Sequence, residues 1–427
     1  MTRKLVDDCF VTDGRRLSHG EALAILRDRI QPVTASRRFA LTEAAGRILA
    51  ENAVARQPVP SHTNAAVDGY AFASGDCNPE SGGVLTVSAR VTAGHALAGP
   101  AVPGTAVRIF TGAVLPDGVD TVVMQEDVAV SSGGGVERVE IPAGLKPGAN
   151  VRKAGEDVKP KEVLLSPGHV IRPQDLAALA SIGLADVACH EPLSVAILSS
   201  GDEIVRAGSG ALAPGQVYDA NAPMLAALVA ATGGRPTELG IVPDRPEAVR
   251  AALSEAARGH HVILTTGGAS RGEEDHMVAA LEALGKRHLW QLAIKPGRPM
   301  SFGQIGDCVV VGLPGNPVAV FVCYLMYVWP MLRRLGGAPF PEPRRLKLPA
   351  VFDFSGRKPG RREFWRGMLV ERGGALAVDK FRRDGSGLIS GLRVADGLID
   401  IPEAHGDVRE GDLVDFIPFS EFGILGR

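Results

Sequence analysis

Three loops in the second half of the chain combine glycines, hydroxyls and carboxylates directly after short apolar runs. They read "ILSSGDEIV" (197–205), "ILTTGGASRGEEDH" (263–276) and "VVGLPGNPVA" (310–319). Each loop leads toward a helical pattern, so free backbone N–H groups and the positive ends of helix dipoles are expected to converge. That arrangement favours a phosphate or another oxyanion. A single glycine-rich turn of this kind would be ordinary structure; three on one edge predict a binding site.

The glycines of the second loop, Gly267 and Gly268, would let the backbone approach a ligand closely. No loop has the spacing G-x-G-x-x-G or G-x-x-x-x-G-K-[ST], which argues against a Rossmann dinucleotide site and a P-loop. The residues predicted to contact substrate from the three loops are Ser200, Gly201, Thr266, Gly267, Gly268, Ser270, Pro314, Gly315 and Asn316.

Carboxylates beside phosphate-binding backbone require a cation between them. Glu203, Glu274 and Asp275 supply hard oxygen ligands, and Mg²⁺ is expected because it bridges carboxylates to phosphates. Glu273 is better explained as an acid in the first turn of a helix, and Arg271 could pair with an acid or bind the anion. No H-E-x-x-H spacing exists, which argues against catalytic zinc, and no protein nucleophile is assigned.

Two further cations lie near the third loop, in "LAIKPGRPMSFG" (292–303). Lys295 and Arg298 flank a Pro-Gly turn that lies close in sequence before the apolar run "CVVVGL". Alone, such a turn reads equally well as a solvated basic surface. Next to an anion site, the two charges would contact the ligand.

The elements that must position these residues alternate between strand and helix. Strand-like runs at 193–198, 261–266 and 308–313 alternate with helical patterns, which predicts a parallel sheet covered on both faces. The predicted fold class is α/β, with a mixed helical N-terminal domain, a β-rich insertion and a small closed C-terminal β domain. The predicted domains are 1–58 with 151–190, 59–150, 191–338 and 339–427.

Several local patterns predict individual helices. Ser18 and Glu21 form a capping-box signature before a helix ending near Ile30, and "LTEAAGRILAENA" (41–53) predicts a second helix capped at Thr42. Asn221 is predicted to cap the helix "NAPMLAALVAATGG". The charge-free stretch from 308 to 332 is predicted to hold a buried core helix of about 13 residues before Pro330, too short for a bilayer.

Composition excludes several classes of function. The formal net charge of −2 and an aromatic content of 5% argue against nucleic acid as a partner. The five cysteines are scattered and form no C-x-x-C pair, so we expect reduced thiols, a cytoplasmic location and neither a disulfide framework nor a zinc knuckle. The first ten residues contain no apolar core run, and we expect no signal peptide and no membrane anchor.

Taken in order, the motifs resemble the molybdopterin molybdenumtransferase family, which includes MoeA and the E domain of gephyrin. The matching segments span most of the chain; the final 85 or so residues match more weakly, through "REFWRG" and "GSG". The segments are "NAAVDGYAF" (64–72), "RIFTGAVLPDGVDTVVMQED" (108–127), "GANVRKAGEDV" (148–158), "SSGDE" (199–203), "YDANAPML" (218–225), "TGGASRGEEDH" (266–276), "IKPGRPMSFG" (294–303) and "GLPGNPVA" (312–319).

This resemblance implies a four-domain homodimer that inserts molybdate into adenylylated molybdopterin with Mg²⁺ and releases AMP. It also implies transient contact with the adenylyltransferase or with molybdoenzymes. Two residues of the insertion, Asp68 and Thr111, would reach the site from the partner subunit. The family's functional residues fall on Asp68, Thr111, Asp157, Glu203, Asp244, Asp275, Lys295, Arg366 and Ser386, of which Arg366 and Ser386 are expected to bind substrate.

Two departures from the family pattern stand in the predicted site. Ala269 and Arg271 replace apolar residues of the usual loop, and Gln291 stands where some relatives carry lysine. Alternative functions are a MogA-like molybdopterin adenylyltransferase, a gephyrin-like scaffold without activity and an amidase on the same fold. The first would leave the flanking segments unexplained, and the last would lack "DGYA" and "TGAVLP".

Overall fold

A computed structural model of the protein describes residues 16–267 and 276–424. The first helix, His19–Arg29, begins as predicted: the Ser18 hydroxyl accepts from the Glu21 N–H, and the Glu21 carboxylate accepts from the Ser18 N–H (2.8 Å). The described α-helices are His19–Arg29, Leu41–Ala44, Pro173–Ser181, Asn221–Ala231, Pro246–Gly259, His276–Leu284, Pro317–Cys323, Trp329–Leu335 and Ile389–Val394.

The predicted second helix is wrong beyond its first turn, and its cap is Ala40, not Thr42 as predicted. Leu41–Ala44 is helical, but the backbone of Gly46 has a φ of +75°, which ends the helix. The following Ile48 and Leu49 pair with Val170 and Cys189 instead. This part of the chain is held by short antiparallel pairs: Ser36–Ala40 with Asp186–His190, Ala53–Val54 with Val163–Leu165, and Asn64–Ala65 with Val151–Arg152.

The segment that was predicted as a β-rich insertion, 59–150, contains a six-stranded antiparallel and parallel sheet. Its Gly69–Phe72 strand is paired on both sides, with Thr105–Ile109 and with Thr121–Met124. The strand order is Thr121–Met124, Gly69–Phe72, Thr105–Ile109, Gly83–Val91, Val136–Ile141 and Ala129–Gly133.

Replacing Gly69 by alanine should destabilise this sheet severely. An added Cβ would lie 1.8 Å from the Val123 carbonyl oxygen, a clash with backbone that no rotamer relieves. We expect a loss of about 3 kcal/mol or an insoluble product, measured by thermal unfolding. Gly75→Ala is the control because nothing lies within 4 Å of its Cβ position; equal stability of the two variants would contradict the packing described.

The central sheet is mixed, not purely parallel as the alternation predicted. Its first four strands run parallel; a hairpin then adds Pro299–Ile305 antiparallel to Cys308–Leu313, and Lys286–Gln291 pairs antiparallel with Pro299–Ile305 at the edge. The hairpin arises because Gly306 and Asp307 form a tight turn between strands that need no crossover helix. The strand order is Arg235–Val242, Ser194–Ser200, Val262–Thr266, Cys308–Leu313, Pro299–Ile305 and Lys286–Gln291.

Helices cover both faces of this sheet, as predicted. One face packs against Pro246–Gly259 and His276–Leu284 through buried residues such as Leu253 and Leu281. The other packs against Asn221–Ala231 and the apolar helix 317–335, in a core that extends to the first helix and to the C-terminal domain.

The predicted end of the apolar helix at Pro330 is wrong. Pro317–Cys323 continues through a wider π-turn, Tyr324–Val328, into Trp329–Leu335. The wider turn lets the helix pass a proline that lacks an N–H donor. The resulting span, Pro317–Leu335, is long and apolar enough to cross a membrane, yet 89% of its most apolar window is buried inside the protein, as in the core helix predicted.

The C-terminal strands curl into a nearly closed barrel. The closing contact is a bridge between Ala350 and Val378, where the Val351 N–H donates to the Val378 carbonyl (3.0 Å). The strand order is Ile294–Lys295, Arg362–Arg372, Gly397–Ile401, Leu413–Pro418 and Leu346–Pro349, with Ala375–Lys380 on Arg362–Arg372. Ile294–Lys295 belongs in sequence to the central domain, so the barrel and the central domain share a sheet.

His19 links the first helix to both the apolar helix and the barrel. It is buried, its Nδ1 lies 2.9 Å from the Tyr327 hydroxyl, and its ring meets the rings of Tyr327 and Phe364 edge-on. Burial, together with the nearby Arg362 charge, lowers the pKa of His19 to about 4.

Stability should therefore fall as the pH drops from 6.5 toward 4. In that window the unfolded chain binds a proton that the folded chain does not, so acid favours unfolding. We expect the stability advantage of the native protein over His19→Gln to shrink by about 2 kcal/mol between pH 7.5 and pH 5, measured by denaturant unfolding. A difference that is constant with pH would contradict the burial of a neutral imidazole.

Candidate active site

The strands that lead into the three loops end side by side at one edge of the central sheet. These strands, Ser194–Ser200, Val262–Thr266 and Cys308–Leu313, are adjacent and parallel, so their carboxyl ends meet. The Thr266 hydroxyl donates to the Ser199 hydroxyl (3.2 Å). Gly267 has a φ of +89°, and its backbone packs so closely on the first loop that a Cβ there would lie 3.2 Å from the Ser200 carbonyl oxygen.

The cap of the Asn221–Ala231 helix differs from the prediction. The Asp219 carboxylate accepts from the N–H groups of Asn221 and Ala222 (3.0 Å each) and from the Ser199 hydroxyl. Asn221 instead donates its side-chain N–H to the Gly315 carbonyl (2.8 Å). Asp219 and Asn221 of "YDAN" thus connect the first loop, through Ser199, to the third loop, through Gly315. Sequence reasoning missed Asp219, although an aspartate two residues before a helix start is a common capping signal.

A pocket of about 460 Å³ opens beside these loops, between the central domain and the barrel. It collects predicted residues that are far apart in sequence. Those that line it are Gly267, Lys295, Arg298, Pro314, Gly315, Asn316, Arg366 and Ser386. Ser200, Gly201 and Thr266 do not line it, and Gly268 and Ser270 lie outside the described residues.

The strap 292–298 forms one wall of the pocket. Gly297 has a φ of +98°, and an added Cβ would lie 2.3 Å from the Cys323 sulfur, so the strap packs directly on the apolar helix. Ile294–Lys295 pairs in parallel with the start of the Arg362–Arg372 strand. The Lys295 ammonium lies 3.5 Å from the carboxylate of Glu363. The lysine is therefore held by both domains.

Arg366 shapes a loop of the barrel that reaches the pocket. Its buried guanidinium donates to the carbonyls of Arg383, Gly385 and Leu388, and burial lowers the pKa of Arg366. The loop carries Ser386, whose carbonyl accepts from the Val318 N–H (3.0 Å). These contacts anchor the barrel loop to the first turn of the apolar helix.

Sequence reasoning missed the second barrel cation, Lys380. Its buried ammonium lies 5.0 Å from the ring of Phe354 and 5.5 Å from that of Trp365, and donates to Asp384. Lys380, Trp365 and Asp384 all line the pocket. A lysine at the end of the alternating strand "ALAVDK" carries no signal that separates it from a surface residue.

The predicted metal-binding carboxylates are only partly within the described residues. Glu203 is exposed and its carboxylate folds against its own loop, so that a Cβ at Gly201 would lie 2.6 Å from it. Asp244 lies beside this loop because its N–H donates to Asp202 (3.3 Å). Glu274 and Asp275 lie outside the described residues, and among the described ones no three His, Cys, Asp or Glu side chains are grouped as a metal site.

The three remaining predicted residues lie away from the pocket lining of their own chain. The Asp68 carboxylate accepts from the Thr111 N–H (2.8 Å) and hydroxyl (2.7 Å), and these bonds hold the pKa of Asp68 below its usual value. The exposed Asp157 donates its N–H to the Val59 carbonyl (3.1 Å). The structure therefore brings Asp68 and Thr111 together, but not with Lys295 of the same chain.

Three family descriptions match consecutive parts of the chain. Residues 17–183 match "MoeA N-terminal region (domain I and II)", 196–334 match "Probable molybdopterin binding domain", and 352–419 match "MoeA C-terminal region (domain IV)". The molybdopterin molybdenumtransferase of Haemophilus influenzae is 35% identical over 382 residues, which cover 89% of this chain and 93% of the relative. The chain belongs to the MoeA family of molybdopterin molybdenumtransferases.

Solved structures of the MoeA family share the fold. The molybdopterin biosynthesis MoeA protein of Pyrococcus horikoshii superposes with a TM-score of 0.80 at 29% identity, covering 95% of this chain and all of that one. A second relative, molybdopterin molybdenumtransferase 2 of Mycobacterium tuberculosis, is 32% identical over 92% of this chain and 96% of its own. The predicted fold class, the resemblance and the assignment as a transferase of this family are confirmed.

Proposed function

We propose that the protein inserts molybdate into adenylylated molybdopterin in a Mg²⁺-dependent reaction that releases AMP. The observation that carries this proposal is the pocket itself. Residues from the second and third sheet loops, the strap and the barrel line one cavity of about 460 Å³, a volume suited to a small-molecule ligand. Membership of the MoeA family supports the same substrate class.

The pocket's charge favours a phosphate-bearing ligand. Among the described residues that line it, Lys295, Arg298, Arg366 and Lys380 are positively charged, and Asp384 is the one carboxylate. Cleavage of the adenylate's phosphoanhydride places negative charge on the departing phosphate, which fixed cations stabilise without reorganisation. The wall also contains Trp365 and Phe381, whose rings suit a flat heterocycle.

Mg²⁺ fits the donor chemistry of the neighbouring loop. Glu203 offers carboxylate oxygens beside the sheet edge, and Mg²⁺ prefers oxygen ligands and shares substrate phosphates. On this proposal Glu274, Asp275 and the substrate supply the other ligands. The bound ion would neutralise charge on the phosphate oxygens. The lysine and arginine side chains that line the pocket would position the substrate through its phosphate groups.

We propose further that the active protein is a homodimer with shared sites. Asp68 and Thr111 form a hydrogen-bonded pair on the inserted sheet, yet neither lines the pocket of its own chain. A twofold dimer would place each pair against the other subunit's pocket.

The proposed cytoplasmic location has its own test. Cys77, Cys189, Cys308 and Cys323 are unpaired, and burial raises the pKa of Cys308 to about 12, so its thiol is unreactive. We expect the mass of unreduced protein to show five free thiols, Cys9 included. A bridged pair would contradict a reduced compartment.

The proposed reaction is tested by omission. The protein is incubated with adenylylated molybdopterin, molybdate and Mg²⁺, and AMP is quantified with each component left out in turn. We expect AMP release to require both molybdate and Mg²⁺. Undiminished AMP release with the metal chelated would contradict the metal dependence. AMP release without molybdate would show that the protein hydrolyses the adenylate without inserting molybdate.

A further inference from the structure

A buried carboxylate, Glu363, lies next to Lys295 but outside the pocket lining. Glu363 is 2% exposed, and its Oε2 lies 3.5 Å from the Lys295 ammonium. The indole N–H of Trp365 donates to the same oxygen (3.0 Å). Lys295 and Trp365 both line the pocket, whereas Glu363 does not. Any effect of Glu363 on the ligand therefore passes through its neighbours.

The other oxygen of Glu363 faces two arginines. Arg361 Nε donates to Oε1 (3.3 Å), and Arg357 Nε lies 4.0 Å from it. One carboxylate thus meets three cations, including Lys295. Burying a carboxylate is costly unless it is paired, and these partners supply that pairing. Of these three cations, Lys295 lines the pocket, whereas Arg357 and Arg361 do not.

The backbone fixes Glu363 opposite Lys295. The two residues are register partners in the parallel pair between the strap and the start of the Arg362–Arg372 strand. The carboxylate is held by the barrel, and the lysine by the central domain. A lysine stem is flexible and loses entropy when its head group is fixed. A fixed, buried carboxylate restricts that head group before the ligand arrives.

We propose that Glu363 is a positioning residue that holds the ammonium of Lys295 in place for the substrate's phosphate. This inference rests on the proposed function and assigns the barrel a part in the reaction. We therefore expect a change at Glu363 to affect substrate binding only in protein that retains Lys295.

A double-mutant cycle tests this dependence. We expect Glu363→Gln to lower kcat/KM for AMP release about tenfold, mainly through KM, as one coupled ion pair would. In a Lys295→Met background, the same change should lower it less than about twofold. An undiminished tenfold loss in that background would overturn the proposal.

Asp400→Asn is the matched control. Asp400 is also a fully buried barrel carboxylate, paired with Arg345 (2.8 Å) and Arg362 (2.6 Å), on the strand next to Glu363. Its loss should lower the melting temperature without changing KM. A KM rise as large as that of Glu363→Gln would show a general structural effect and overturn the proposal. If Glu363→Gln does not fold, Glu363→Asp keeps the charge but withdraws it from Lys295, and should raise KM alike.

Calorimetric binding of AMP separates this inference from the proposed function. The Kd for AMP is measured for the native protein, for Glu363→Gln, for Lys295→Met and for the double variant, in the absence of turnover. Native protein that fails to turn over but shows the cycle in AMP affinity would leave the inference standing and reject the reaction. Native protein that releases AMP while Glu363→Gln matches it in both KM and Kd would reject the inference alone.

Discussion

Lys295→Ala should lower kcat/KM for AMP release by about a hundredfold or more. The ammonium lies on the pocket wall, is fixed by Glu363 and is carried by a strap packed against the apolar helix. A fixed cation at a phosphate is worth most when charge develops on the departing oxygen, so we expect kcat to fall as well as KM to rise. Steady-state kinetics of AMP release at saturating Mg²⁺ measure both.

Lys347→Ala is the control for this change. Lys347 is an exposed lysine of the barrel that pairs with Asp415 (3.0 Å) and lies outside the pocket. Its loss should leave the kinetics unchanged, because an exposed pair contributes little. If Lys295→Ala retained kinetics like those of Lys347→Ala, the pocket would not be the site of phosphate cleavage.

Mixing two inactive variants should restore activity if sites are shared between subunits. Asp68→Ala damages the inserted sheet's contribution, and Lys295→Ala damages the pocket. In a heterodimer one site then carries both lesions and the other carries neither. Random pairing makes about half of the dimers mixed, so recovery of about a quarter of native activity is expected.

Co-expression with two different affinity tags allows the mixed dimers to be isolated. After sequential purification on both tags, every dimer is mixed, and about half of native activity is expected. Mixed dimers as inactive as either parent would show that Asp68 does not act across the interface. Active Asp68→Ala homodimers would remove this residue from the site.

The strand ends that carry Gly267, Gly315 and Asn316 were predictable because their signals are local. An apolar run followed by glycines and a capping position identifies a strand end, and parallel strands bring such ends together. Gly267, Gly315 and Asn316 therefore lie in one pocket, as expected from the chain alone. The antiparallel hairpin at 299–313 was not foreseen, although Gly306-Asp307 between two apolar runs is a local hairpin signal.

The barrel's contribution was not predictable in the same way. Glu363 and Lys380 become relevant only because the strap pairs with the Arg362–Arg372 strand, a contact across domains. Short-range patterns contain no information on that pairing. The prediction of the second helix was wrong for a related reason. Gly46 ends the helix, and Ile48 and Leu49 pair with residues more than a hundred positions away in the sequence.

The most direct test of the proposed reaction is a single turnover with enzyme in excess over adenylylated molybdopterin. AMP and pterin-bound molybdenum are quantified from the same quenched samples. We expect one AMP per molybdenum atom, both appearing at one rate with native protein and neither with Lys295→Ala. AMP that appears without molybdenum in the pterin product, or molybdenum that appears without AMP, would contradict coupled cleavage and insertion in this pocket.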